Sequence, residues 1–364
     1  MLRKFLLGLC GWLLLEGTNA AVSPTPASSI PPKLATPSPS PAASALIDSL
    51  QPADLQQVIS ILKNNFINPA SLNEMELNRA TLQGLMIRLG HGVVLLPNSA
   101  AAQPETGRPL FSELLGGHIG YLRPGALTVG NLQAMDGALK AFAAQKADAL
   151  IVDLRASTAT NDFATAAEFA KRFTAKGKTL FILHKAAAQQ DRVFSSDRDP
   201  SYQGLIMVLT DASTAGAAEA LAGVLRVYQK AMIIGQQTAG SAVEYSDLPL
   251  PSGKILRVAV SEVVLPESKP LFPAGITPDL PVEMPEKDRN EIFQQSLTKG
   301  MSRYIFESER PHLNEAALLA GTNPELDAVE AGQNNRGPNK ETLHDAVAQR
   351  AVDLVTSLAI YQKR

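Results

Sequence analysis

Five histidines, at His91, His118, His184, His312 and His344, lie far apart and form neither an HExxH pair nor any other metal-ligand spacing. Each reads as a surface histidine or a satisfied core one, and no metal is expected. Cys10 is the only cysteine. Once the leader described below is removed, no disulfide, thiolate metal site or cysteine nucleophile can form. No cofactor is expected either. What remains is hydroxyl chemistry, which requires a histidine or lysine beside the nucleophile. The balance of 33 Lys+Arg against 35 Asp+Glu, with no basic block, argues against a nucleic-acid partner. With 364 residues, 45% of them hydrophobic and 19% charged, the chain has the composition of one large globular domain or two modest ones.

The first 20 residues read as a signal peptide. Arg3 and Lys4 precede an apolar run from Phe5 to Leu15, and Thr18-Asn19-Ala20 supplies small residues for cleavage. A spanning helix needs about 20 apolar residues, so no transmembrane helix is expected after the leader is removed. Cys10 lies inside the apolar run, where a lipid-attachment cysteine does not belong. The predicted destination is the periplasm of a bacterium, or its exterior. Residues 21–45 hold seven prolines among Ala, Ser and Thr and predict an extended linker.

The elements that must position a site follow. Leu55, Val58, Ile59, Leu62 and Phe66 recur at helical spacing over 53–66, as do Leu72, Met75, Leu82, Leu85, Met86 and Leu89 over 72–89. Residues 46–97 therefore read as a helical segment, followed by a loop over 98–116. From 117 onward, apolar runs at 118–123, 148–154, 179–184, 204–210 and 231–235 alternate with helical stretches at 129–145, 162–174 and 214–229. That rhythm predicts an α/β core with a largely parallel sheet covered by helices on both faces. Two further β-like runs, 254–260 and 261–265, follow a Pro-Ser-Gly turn. Residues 285–364 predict a helical extension, with helices over 286–306 and 344–361.

The 117–284 block resembles the tail-specific, or C-terminal processing, serine peptidases. GHIGYLRP at 117–124 resembles their opening strand, ALIVDLR at 149–155 their LILDLR strand, and GLIMVLT at 204–210 their PLVVLV strand. LPLPSGKILRVAV at 248–260 resembles the late hairpin and AGITPDLPV at 274–282 the closing GIxPDxxV signature. Each piece alone is weak, but five in order are specific. NPASLNEMELNRATLQGLM at 68–86 is similar to the family's helical lead-in. The resemblance implies a crotonase-like core. Active relatives commonly carry a peptide-binding PDZ module ahead of it, and the loop over 98–116 is too short to be one.

The resemblance also assigns catalytic positions, and the chemistry is missing from them. The family nucleophile sits at the start of the helix after the LVVLV-type strand, where the helix dipole and free N–H groups favour negative charge. In STAGAAEALAG from Ser213, aligned on Glu219, that position is Gly216, which has no side chain to attack with. The family's general-base lysine falls at Ser241 in IGQQTAGSAVEY, and the supporting glutamine at Tyr245. The Gly-Gly turn after DLR, part of the oxyanion hole, is replaced by ASTATND after Arg155. Ser213, Thr214 and Ser241 are the hydroxyls left nearby, with Glu219 and Glu244 as acids. Lys230 and His184 are the nearest bases by topology, though no spacing places them there. Ser213 or Thr214 also reads as an N-cap for the helix over 214–229.

The expected function is that of an inactive family member that binds unstructured peptide or protein C-termini. Gly216, Ala217, Ser241, Ala242, Val243 and Tyr245 are the expected peptide-binding residues. An active endopeptidase with a rearranged centre and a structural or assembly protein of the cell envelope are the alternatives, and a homo-oligomer is possible.

Overall fold

The computed structural model describes residues 49–68, 72–97, 107–155, 157, 160–185, 191–266, 269–305 and 343–362. The leader, the Pro-rich linker and the polar stretch of 321–340 lie outside the described residues. The chain divides into two units, residues 1–77 and 78–364.

The first unit holds helix α1 (Pro52–Asn65) and the start of α2 (Glu74–Leu89). Proline in the first turn suits α1, because its missing N–H has no helical partner there. The backbone N–H of Gln51 donates to Asp54 Oδ2 at 2.9 Å, answering the helix start. Both helices form where apolar spacing places them, yet Leu55, Val58, Ile59 and Leu62 stay exposed, and α2 contains no buried residue.

The second unit contains two sheets. Its strands are β1 (Val93–Leu96), β2 (Phe111–Leu115), β3 (Ile119–Arg123), β4 (Ala149–Asp153), β5 (Thr179–His184), β6 (Arg192–Ser195), β7 (Leu205–Thr210), β8 (Met232–Gly235), β9 (Val243–Pro249), β10 (Ile255–Leu265), β11 (Lys269–Pro270) and β12 (Leu280–Pro281). Helices α3 (Val129–Ala144), α4 (Phe163–Lys171), α5 (Ala217–Gln229), α6 (Glu286–Lys299), α7 (Ser302–Ile305) and α8 (Ala346–Gln362) complete it. One sheet runs β12-β8-β7-β4-β3-β2, parallel except for β2.

Every residue of β4 is buried, as a strand covered on both faces must be. Alternation sends Leu150 and Val152 into a core with α3, α4 and α5, and Ala149 and Ile151 into a second core with α6, α7 and α8. The other sheet is antiparallel: β10 pairs with β1, β5, β9 and β11, and β5 with β6. Phe181 and Val263 carry it into the first core.

Five sequence expectations change. Residues 93–96, at the end of the expected helical segment, form strand β1, paired with β10. The run 179–184 is a strand of the antiparallel sheet, because burial of an apolar run does not say which sheet it joins. The runs 254–260 and 261–265 are one strand, β10, whose pairing with β9 shifts register between Ala259 and Ser261. The late hairpin is accordingly β9–β10. Residues 111–115 of the expected loop form β2, paired along its length with β3. Gly300, at a φ of +77°, ends α6 and splits the helix expected over 286–306.

A buried ion network fastens the C-terminal extension to the sheet. Arg155, just beyond β4, bonds Asp153 Oδ2 through Nη2 at 2.6 Å and grips Asp345 with both ends of its guanidinium, at 2.9 and 2.8 Å. Asp345 also accepts from the N–H of Ala348 at the start of α8, and Tyr121 donates to Asp153 at 2.6 Å. All four side chains are buried. Burial pushes the Asp153 carboxyl up, but the Arg155 charge and the hydrogen bonds from Arg155 and Tyr121 outweigh it and hold the group below its ordinary value. Burial, and then the charge of Asp153, raise the Tyr121 phenol well above its own.

Removing one partner strands the others. Asp345→Ala should therefore lower unfolding free energy by about 3 kcal/mol in urea titrations. A depressed native carboxyl contributes stability that is complete above about pH 4 and lost as pH falls through the native value. The acid limb of the stability curve should flatten in Asp153→Asn.

Candidate functional site

The site lies where β7 and β8 hand the chain to the loops that follow them. After Thr210, the Asp211 Oδ1 accepts from Ser213 N at 3.0 Å, Ser213 Oγ at 2.7 Å and Thr214 N at 3.1 Å, closing a tight turn. Thr214, fully buried, donates its hydroxyl to Leu154 O at 3.1 Å. The helix then begins later than expected. Its cap is Gly216 and its first residue Ala217, so neither Ser213 nor Thr214 is the N-cap.

Gly216 holds φ +58° and ψ −119°, a conformation that L side chains rarely adopt. A Cβ there would come within 2.6 Å of Thr160 O. That carbonyl belongs to the segment that replaces the glycine turn after Arg155, and it accepts the N–H of Ala217 at 2.9 Å. The backbone donor beside the nucleophile position is therefore already bonded.

Glu219 is the centre of the arrangement. Its carboxylate is completely buried on the first turn of α5. Oε2 accepts from Gly216 N at 3.0 Å and Ser241 N at 2.8 Å, and Oε1 from Gly240 N at 2.7 Å and Thr238 Oγ1 at 2.5 Å. A carboxylate offers about four lone-pair sites, and all four are filled. The helix dipole adds to the fit of an acid at this end. Gly216 and Ser241, the positions assigned to nucleophile and base, are thus brought together as donors to one acceptor. Glu219 was visible in the sequence as a nearby acid. The capping-box spacing of Gly216 to Glu219 was the signal for its role.

The hydroxyls meet no base. Ser241 Oγ sits 3.4 Å from Glu219 Oε2, a long contact to an acid whose acceptor sites are taken. Ser213 Oγ donates to Asp211, and accepts from Arg289 Nη1 at 3.1 Å; Arg289 also pairs with Asp211 itself. The Asp211 carboxylate is thus already engaged by the Arg289 guanidinium and by its own turn. Arg289 lies 78 residues from Asp211 in sequence, and no local pattern announces it.

Lys230 caps the far end of α5, roughly 20 Å from Gly216 along a 13-residue helix. His184 is exposed and bonds Asp191 at 2.9 Å, and Glu244 pairs with Arg192 at 2.7 Å. Among the expected peptide-binding residues, Gly216, Ala217, Ala242 and Val243 are buried and present no side-chain surface, while Ser241 and Tyr245 are only partly buried. The Tyr245 hydroxyl donates to His91 O at 2.8 Å, away from Glu219, and burial pushes its phenol upward. Among the described residues no cluster of three or more acidic, histidine or cysteine side chains could hold a metal.

Residues 118–282 match the model of peptidase family S41. This segment belongs to peptidase family S41. A carboxyl-terminal-processing protease of Synechocystis is 26% identical over 185 residues, covering 51% of this chain and 41% of the relative. The chloroplastic carboxyl-terminal-processing peptidase 2 of Arabidopsis thaliana is 25% identical over 175 residues, covering 48% and 34%. The chain thus spans less than half the length of either relative. A solved structure from Parabacteroides merdae shares the fold at a TM-score of 0.50 and 16% identity, over 67% of this chain and 85% of the other.

Two substitutions probe the site. Glu219→Gln turns one acceptor into a donor facing backbone N–H groups, and should cost about 2–4 kcal/mol in chemical denaturation. Gly216→Ser should lower stability by about 1–3 kcal/mol. It should also gain no reactivity toward a fluorophosphonate, because the new Cβ collides with Thr160 and no base stands by.

Proposed function

We propose that this chain is an exported family S41 protein that holds polypeptide without cleaving it. The observation that carries the reading is the closed nucleophile position. Gly216 has no side chain, Thr160 O takes the adjacent N–H, and Glu219 takes the donors of Gly216, Gly240 and Ser241. Acyl transfer needs a nucleophile, a base and free donors for the oxyanion. Each is missing or occupied.

The free edge of β9 supports a binding role. This strand leaves the site directly after Ser241 and, among the described residues, pairs on one side only, with β10. An extended peptide can add there through main-chain hydrogen bonds, which require no catalytic side chain. The contact surface would be Ser241, Tyr245 and the exposed end of β9 rather than the buried residues around Gly216. Export rests on the leader-like first 20 residues. Among the described residues no helix is long and apolar enough to cross a membrane. The short stretch over 98–116 supports the absence of a PDZ module.

Fluorescence anisotropy against a set of unstructured peptides checks this reading. At least one peptide should bind, and N-methylation of its alternate amides should weaken it about tenfold or more by removing ladder hydrogen bonds. Silence from the whole set at about millimolar protein removes the binding role. Fluorophosphonate labelling of Ser213, Thr214 or Ser241 in the purified protein would instead establish hydrolysis at a rearranged centre.

A further inference from the structure

Helix α1 leaves its apolar side chains with nothing to pack on. Every described side chain over 53–66 is exposed, and neither apolar core includes a residue of α1. An isolated helix shorter than about 12–15 residues is marginal in water, and α1 has 14. A stable α1 therefore needs a surface to cover it.

The apolar residues form one stripe. Leu55, Ile59, Leu62 and the C-cap residue Phe66 follow one another at intervals of four, three and four, the spacing of a coiled-coil seam, and Val58 flanks them. Each of the five is 40–46% exposed. Ile61 lies off the stripe.

Two possible covers fit poorly. Residues 21–45 contain only Val22, Ile30 and Leu34 as large apolar side chains, among seven prolines, too few to cover a seam. A membrane surface favours a helix with a strongly basic polar face, whereas Asp54 and Lys63 are the only charged residues of α1.

A second copy of the same stripe fits. Run antiparallel about a two-fold axis, it places Ile59 on the partner's Leu62 and Leu55 on the partner's Phe66, with the reciprocal pairs following by symmetry. Gln56 then flanks the partner's Lys63, and Asp54 the partner's Asn65, so no like charges meet. The opposed helix dipoles add to the fit. A parallel pair would instead set Lys63 beside the partner's Val58.

We propose that α1 pairs antiparallel with α1 of a second copy of this chain, centred between Ser60 and Ile61. At about two-fifths exposure the five side chains offer roughly 400 Å² per copy, and with their polar flanks the pair buries about 1,000 Å², the lower bound of a specific interface. Two heptads make a short seam, so association is weak, with a Kd of about 10–100 µM.

Sedimentation equilibrium of the full-length protein up to about 300 µM tests this, and should show a monomer–dimer equilibrium. Ile59→Lys and Leu62→Asp should each abolish dimerisation without changing the melting temperature, because both positions are exposed. The leader-like segment is common to all variants, so their comparison isolates α1. Mixed in equal amounts, the two variants should associate again, within about tenfold of the unaltered protein. The new ammonium of one copy then faces the new carboxylate of the other, while the second layer remains Ile59 on Leu62. A monomer throughout the range, a dimer that survives both substitutions, or a mixture no more associated than either variant alone would each overturn the proposal. So would a monomer that instead co-sediments with phosphatidylglycerol–phosphatidylcholine vesicles, which would put a membrane on the stripe.

Discussion

A carboxylate taken out of water must be answered by donors, and Glu219 draws its donors from two stretches of chain about twenty residues apart in sequence. Gly216 comes from the start of α5; Thr238, Gly240 and Ser241 come from the loop after β8. The same loop reaches back through Ala239 N to Thr214 O, and Thr238 accepts from Ile276 N. The geometry around the nucleophile position therefore follows from satisfying one buried acid. In an acyl-transfer enzyme the backbone donors of such a place are kept for charge that develops during reaction. Here they are used in the resting fold.

The Arg155 network has a comparable role one layer away. Asp153 and Arg155 belong to the DLR wording that made the family resemblance legible, yet in this chain their outward partner is Asp345 at the head of α8. The C-terminal extension is thereby part of the core, with Val347, Val352 and Val355 buried against the sheet. At roughly 1.5–3 kcal/mol for each such side chain fully buried, α8 contributes to the stability of the sheet it covers.

Much of this was readable from the chain. The parallel strands announced themselves because a strand buried on both faces is a continuous apolar run, as in ALIVD. Gly216 and Ser241 could be set against the family's nucleophile and base because the surrounding wording resembles the family's. Other features depend on long-range geometry. An apolar run does not state its sheet, which hid the true neighbours of β5. A register shift near Ser261 made one strand look like two. FSELL is short and borders a polar stretch, so β2 emerged only through its pairing with β3. Thr160 O acts through its backbone, for which the sequence has no letter.

The central claim is that the donors around Gly216 are permanently engaged within the fold. Amide hydrogen exchange at Gly216, Ala217, Gly240 and Ser241, with and without a peptide boronate, tests it most directly. The account predicts that all four exchange only through global unfolding and that the boronate changes none of them. Exchange near the rate of a free amide at Ala217, or new protection there when the boronate is added, would show an open oxyanion site and contradict it.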